Sequence, residues 1–246
     1  MFTSKGPTLR ELAEQALTSV ERGYDLLAPK FDHTPFRTPD RFVEATESVL
    51  TRLGPFDSGL DVCCGTGAGL DVLRAVCRRR VTGVDFSAGM LGRAGADGAG
   101  KPAHLVRGDA RALPFGAAFD LAVSFGAFGH FLPAERPGLF AEVHRVLRPG
   151  GVFAFPVAAP PPIGTPMYWT LLGFDAAMRV RNRVRRPPFV MYYRTWPLGA
   201  VRADLERAGF VVSLHPLEEF GRRRDGSPGC RLVVARKPGE VTRTAA

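Results

Sequence analysis

Apolar residues along this chain recur at two spacings, and the alternation between them predicts an α/β fold. Leu9, Leu12, Ala13, Ala16, Leu17 and Val20 stand three and four apart, which predicts one amphipathic helix ending near Gly23. Thr38 before Pro39 predicts a capped start for a second helix, which carries Phe42, Val43, Ala45, Thr46, Val49, Leu50 and Leu53 up to Gly54. Short apolar runs then predict strands at 59–64, 81–84, 103–107, 119–125 and 152–157. Helical patterns lie at 68–79, 87–94 and 133–147, the last stopped by Arg148-Pro149-Gly150-Gly151. Crossover helices between strands predict a mostly parallel sheet covered on both faces, with a binding crevice at the carboxyl ends of its strands.

Two later regions modify that plan. Residues 158–196 interrupt it with a proline run and a helix from Pro166, capped by Thr165, to about residue 186. A helix at 198–208 follows, then strands at 210–214 and 231–235 joined by a loop at 221–229. With no helix between them these two strands must pair as a hairpin, so a seven-stranded sheet ends antiparallel. The expected organisation is a helical cap over the active site at 1–54 and a main domain at 55–246, with a lid insertion at 158–196.

Composition fits that picture. With 246 residues, 45% hydrophobic and 23% charged, the chain suits one globular α/β domain. No run of 18 apolar residues offers a transmembrane segment, and the N-terminus lacks a secretory signal pattern. The cysteines at 63, 64, 77 and 230 form no CxxC, which predicts neither a metal site nor a disulfide framework and suits the cytoplasm. The net charge of +9 is compatible with nucleic acid, anionic lipid or an acidic substrate. Because the arginines gather in two short clusters, at 179–186 and 222–224, general solubility is the preferred reading of that charge. Oligomeric state has no signal here.

The chemistry concentrates in Leu60-Asp61-Val62-Cys63-Cys64-Gly65-Thr66-Gly67-Ala68-Gly69, where a strand turns sharply into a helix. Residues without side chains let a ligand approach that backbone and let φ turn positive. Leu70 stands where the nicotinamide-binding fingerprint needs glycine, which disfavours an oxidoreductase. Asp85 ends the next strand about 20 residues on, placed to accept from both hydroxyls of a ribose. Gly108-Asp109-Ala110 follows the third strand, where a carboxylate can accept from an adenine amine.

In order, these stretches resemble the class I (Rossmann-like) methyltransferases that use S-adenosylmethionine, in particular the group containing ubiquinone, menaquinone and small-molecule methyltransferases. The matching runs also include Val84-Asp85-Phe86-Ser87, Gly108 through Phe115, Phe119-Asp120 and Leu147 through Gly151, within residues 58–157, with weaker agreement at Ala208-Gly209-Phe210. The resemblance implies that Asp61, Gly65 and Gly67 line the methionine end of the cofactor, that Cys63 also belongs to the cofactor set and that Asp85 holds its ribose. Phe86 stacks on the adenine, Asp109 and Ala110 frame it, and Ser124 and Phe125 complete the cofactor set. Cys63 departs from the family's usual Gly or Ala.

An activated sulfonium methyl needs alignment and water exclusion more than dedicated catalytic groups. A hydroxyl acceptor gains from a general base, and His130, in the segment leaving the fourth strand, is the candidate. Phe125, Phe128 and Phe131 are candidates for an apolar pocket; the run from Tyr24 to Asp32 resembles the family's cap over the cofactor, which implies that Tyr24 and Phe31 close the site from above. His144 is expected at the surface. In the insertion, Met167 through Phe174 reads as apolar on all sides, hence buried or facing an apolar ligand. Arg179, Arg183 and Arg186 share a helix face, which reads as a solvated helix end or else as a basic rim over an acidic aromatic, polyketide-like or lipid-like acceptor, methylated on oxygen. Transfer-RNA or ribosomal-RNA methylation and a non-catalytic cofactor-binding scaffold are the alternatives.

Overall fold

The computed structural model describes residues 5–34, 36–96, 102–192 and 196–239. Its strands are β1 (Phe56–Val62), β2 (Cys77–Asp85), β3 (Ala103–Arg107), β4 (Phe119–Val123), β5 (Leu147–Ala158), β6 (Val211–Pro216) and β7 (Cys230–Arg236). They form one sheet in the order β3-β2-β1-β4-β5-β7-β6. The first five are parallel, and β7 runs antiparallel to both β5 and β6. The expected sheet, with its terminal hairpin, is therefore present.

Alternation along the central strands feeds two cores. Leu121, Val123, Val152 and Ala154 face one layer with Leu50, Leu70 and Leu73. Leu60, Val62, Ala122, Phe153 and Phe155 face the other with Phe140, Val143 and Leu205. Strands buried on both faces favour apolar residues at successive positions, which is why Leu121–Val123 of β4 and Val152–Phe155 of β5 stand out in the sequence.

The helices are α1 (Leu9–Leu17), α2 (Val20–Leu27), α3 (Asp40–Leu53), α4 (Ala68–Val76), α5 (Ala88–Ala96), α6 (Arg136–Val146), α7 (Pro166–Val184) and α8 (Leu198–Arg207). The single N-terminal helix expected from periodicity is in fact two. Ser19 leaves helical backbone and accepts from the Arg22 amide at 3.2 Å, starting α2 afresh. Thr38 does not cap α3: Pro39 occupies the cap position without a side-chain bond, and the helix begins at Asp40. The helix expected at 68–79 stops at Val76 because Cys77–Arg80 pairs with β1, so lateral pairing overrides helical periodicity. The expected cap at Thr165 is present, its hydroxyl accepting from the Tyr168 amide at 3.2 Å.

Candidate active site

Beyond the carboxyl end of β1 the backbone turns sharply. Cys63, Gly65 and Gly67 take φ values of 58°, 53° and 107°. A Cβ on Gly65 would meet nothing within 4 Å, so the turn presents bare backbone to open space. That space is a cavity of about 1170 Å³ at the strand ends. Cys63 is the only non-glycine among the described residues with positive φ. Burial pushes its thiol well above the usual range, which favours the protonated form.

Asp85 ends β2 beside this turn. One carboxylate oxygen accepts from the Gly65 amide and the other from the Ser87 amide, each at 2.9 Å. Each oxygen keeps a further lone pair, and the carboxylate borders the cavity. Burial raises its pKa, against the two amides, which lower it. Hydroxyl donors arriving from the cavity would therefore meet an under-solvated, aimed acceptor. The Gly108 amide donates to the Asp85 carbonyl at 2.9 Å, which brings the end of β3 alongside. Phe86, Asp109 and Ala110 border the same cavity, and Asp109 pairs with Arg111 at 3.2 Å. Ser124 Oγ donates to the Val62 carbonyl at 2.8 Å, tying the end of β4 to that of β1, with Phe125 next to it on the cavity wall.

Two sequence-predicted residues lie elsewhere. Asp61 is 1% exposed and sits beneath the turn, not on the cavity wall. A Cβ on Gly69 would meet its Oδ1 at 2.4 Å, so glycine at 69 makes room for this carboxylate. Among the described residues neither oxygen has a hydrogen bond of ordinary geometry, although the Gly69 and Leu70 amides lie near enough to lower its pKa. Burial, reinforced by Asp85, outweighs them and raises it well above the carboxylate range. Gly67 also stays off the wall and serves as the cap residue of α4. Asp61 and Gly67 shape the turn from below.

On the other side of the cavity, His130 ends a 3-10 turn (Ala127–His130) that follows β4. Its Nδ1 lies 2.7 Å from the Val190 carbonyl, and its Nε2 lies 2.8 Å from the Tyr24 hydroxyl. A carbonyl only accepts, so Nδ1 carries the proton. Nε2 of the neutral ring then accepts from Tyr24. Burial lowers the His130 pKa, so the neutral form persists at mild acidity. Phe125, Phe128 and Phe131 all border the cavity but diverge. Phe128 stacks on Trp196 with centroids 4.0 Å apart at 5°, and Phe131 lies under the Arg111 guanidinium at 5.0 Å.

The N-terminal helices close over the Asp85 side of the cavity through Asp25 and Asp32, side chains not among the candidate site residues. Asp25 Oδ1 accepts from Ser87 Oγ at 2.6 Å and from the Gly89 amide at 2.9 Å. Asp32 accepts from Thr66 Oγ1 at 3.0 Å and pairs with Arg93 at 3.2 Å. Ser87 thus touches both Asp85 and Asp25, next to Tyr24 in the chain.

The insertion contributes differently from expectation. Helix α7 supplies no residue to the cavity wall, so its arginines are not a rim. Arg179 lies over the Tyr192 ring at 4.6 Å, and Arg181 donates to the Pro187 carbonyl at 2.7 Å. Met167 and Trp169 are 59% and 58% exposed, not buried. The wall is formed instead by the strap after α7: Pro188, Val190, Met191, Tyr192 and Trp196. The Tyr192 amide donates to the Gly129 carbonyl at 2.7 Å, and Asn182 brackets Phe189 on both its amide and its carbonyl. The aromatic run from Phe189 to Trp196 was the available sequence signal. His144 is half-buried rather than at the surface, edge-on to Phe210 at 4.9 Å, because α6 packs this side toward the start of β6.

Residues 60–151 match the family model described as a methyltransferase domain. An uncharacterized methyltransferase of Synechocystis sp. is 40% identical over 103 residues, covering 42% of this chain and 47% of that protein. The 2-phytyl-1,4-naphthoquinone methyltransferase of Synechocystis sp. is 32% identical over 151 residues, covering 56% of this chain and 62% of that protein. The chain thus spans about half the length of the curated relatives it matches. Among solved structures, a methyltransferase-like protein of Haloferax volcanii, solved with the Trm112 methyltransferase activator, superposes with a TM-score of 0.65 at 20% identity. That match covers 89% of this chain and 98% of the other, and shows the shared fold.

Proposed function

We propose that this chain is a class I, S-adenosylmethionine-dependent methyltransferase that methylates a small aromatic or lipid-like acceptor, on oxygen; the match of residues 60–151 to a methyltransferase-domain model supports the reading. The observation that carries the reading is the division of one cavity into a carboxylate-and-backbone half and an aromatic half that meet at the end of β4.

The donor half fits an adenosine. Asp85 would accept from the ribose hydroxyls, Phe86 and Ala110 would flank the base, Asp109 would accept from its amine, and the bare turn at Gly65 would admit the rest. S-adenosylmethionine supplies, when bound, a methyl group on a cationic sulfur. The protein's own part is to hold the acceptor in line, keep water out and take up a proton. The Tyr24–His130 pair serves the last task. An acceptor hydroxyl reaching the Tyr24 oxygen would lose its proton to that oxygen as the phenolic proton passes to His130 Nε2. The Val190 carbonyl would hold Nδ1–H and so stabilise the resulting imidazolium.

The acceptor half argues for a small molecule. Phe36, Phe128, Val190, Met191, Tyr192 and Trp196 offer apolar and planar surface, and the arginine clusters that would favour RNA lie away from the wall. A relative named for a phytyl-bearing naphthoquinone is in keeping with such an acceptor. Incubation with methyl-labelled S-adenosylmethionine and separated small-molecule and RNA pools tests the reading. Label is expected in the organic-extractable pool; label confined to RNA overturns it.

A further inference from the structure

Helix α7 shows solvent an unusual side. Trp169, Gly173, Ala176, Ala177, Val180 and Val184 recur at four, seven, eight, eleven and fifteen residues, so they share one face, and every one is exposed. Trp169, Val180 and Val184 are 58%, 66% and 78% exposed, and Ile163 just before the helix is 84% exposed. The opposite face carries Met178 and partly buried Phe174, which pack with Phe189 and Tyr192, so α7 is anchored by its other side. A surface helix normally keeps its apolar stripe inward; this one presents a second stripe outward.

The exposed charge on α7 and just after it has one sign. The only acid in α7, Asp175, is 6% exposed and faces inward. Arg179 and Arg183 flank the stripe, and Arg185 and Arg186 follow its end, all exposed. No ion pair among the described residues engages these four. A tryptophan-bearing apolar face edged by arginines and free of exposed carboxylates is complementary to an anionic bilayer, with apolar groups entering the headgroup boundary and guanidinium groups among phosphates. No described helix is long and apolar enough to cross a membrane, so such a helix lies along the surface.

We propose that α7 is an interfacial helix that docks the protein on anionic phospholipid. The proposal goes beyond the methyl-transfer chemistry, and its test uses neither donor nor acceptor. The full chain is sedimented with phosphatidylglycerol–phosphatidylcholine vesicles and with phosphatidylcholine vesicles alone. Binding is expected on the anionic vesicles, falling at least about tenfold on pure phosphatidylcholine and in high salt. The triple variant Trp169→Ser, Val180→Ser, Val184→Ser and the triple variant Arg183→Gln, Arg185→Gln, Arg186→Gln should each weaken partitioning by about tenfold or more, with an unchanged melting temperature. Vesicles should shift tryptophan emission to the blue in the parent but not in Trp169→Phe, since Trp196, the other tryptophan, stays in the cavity wall. Absence of binding, equal binding to both vesicle types, or full binding by either triple variant overturns the proposal. So does a parent dimer that the serine variant turns into a monomer, because a second copy would then cover the stripe.

Discussion

The two halves of the cavity are built by different means. The donor half is held by atoms close to strand ends: Gly65 and Ser87 amides on Asp85, the Gly108 amide on the Asp85 carbonyl, Ser124 on the Val62 carbonyl. Parallel register sets these positions, so one sheet suffices to assemble them. The acceptor half depends on three segments that meet only in the folded chain. Tyr24 comes from the cap, His130 from the turn after β4 and Val190 from the strap, joined by two hydrogen bonds. A sheet-borne site is preorganised, whereas a site assembled from cap and strap can open, and its acceptor walls can differ without disturbing the donor half.

This contrast can be broken at either half. The largest effect is expected for His130→Ala, which should lower kcat by about 10²-fold or more while leaving cofactor affinity within about twofold by calorimetry. An equal loss of affinity would show that the halves are not separable. Asp85→Ala should do the reverse, weakening cofactor binding by about 2–3 kcal/mol through lost charge-assisted hydrogen bonds. Unchanged affinity would remove Asp85 as the ribose acceptor. Asp25→Asn probes the link between the halves. Weakening its bonds to Ser87 and Gly89 should cost about 1 kcal/mol, seen as a rise in KM for both donor and acceptor. A rise for one alone would place Asp25 in one half only. The smallest change concerns Cys63. Valine there adds a β-branch at positive φ and should lower stability in urea by about 1 kcal/mol, whereas glycine should stay within about 0.5 kcal/mol of the parent.

Acidity sharpens the same comparison. The proposed base, His130, would act in its neutral form, and burial lowers its pKa. The acid limb of kcat should therefore fall below the ordinary histidine range and disappear in His130→Gln. A lowered histidine pKa also means that the unfolded chain binds the proton more readily, so this group costs stability as pH falls through its unfolded value. An acid limb unchanged in His130→Gln would assign the base elsewhere.

Legibility followed the same division. Glycines, strand-end acids and their spacing announced the donor half because each is local and tied to a backbone constraint, and Asp85, Phe86, Asp109, Ala110, Ser124 and Phe125 all reach the cavity. Asp61 and Gly67 lie in the same motif, yet they support the turn from below, a distinction that motif spacing does not encode. In the insertion, periodicity found α7 but assigned its apolar residues inward, whereas Met178 and Phe174 carry the packing and Trp169 faces out. The strap, without periodicity, supplies the wall.

The sequence by itself determined the parallel sheet, the terminal hairpin and the glycine elbow after β1, because strand periodicity and glycine torsions act over a few neighbouring residues. Only the tertiary structure decided which insertion residues meet the cavity, that Tyr24 meets His130 and which side of α7 faces solvent. The Tyr24–His130–Val190 contacts join segments 60 to 106 residues apart, and α7 packs on the strap together with Val20 and Phe36, where many side chains compete for the same surface and no local rule selects the winner.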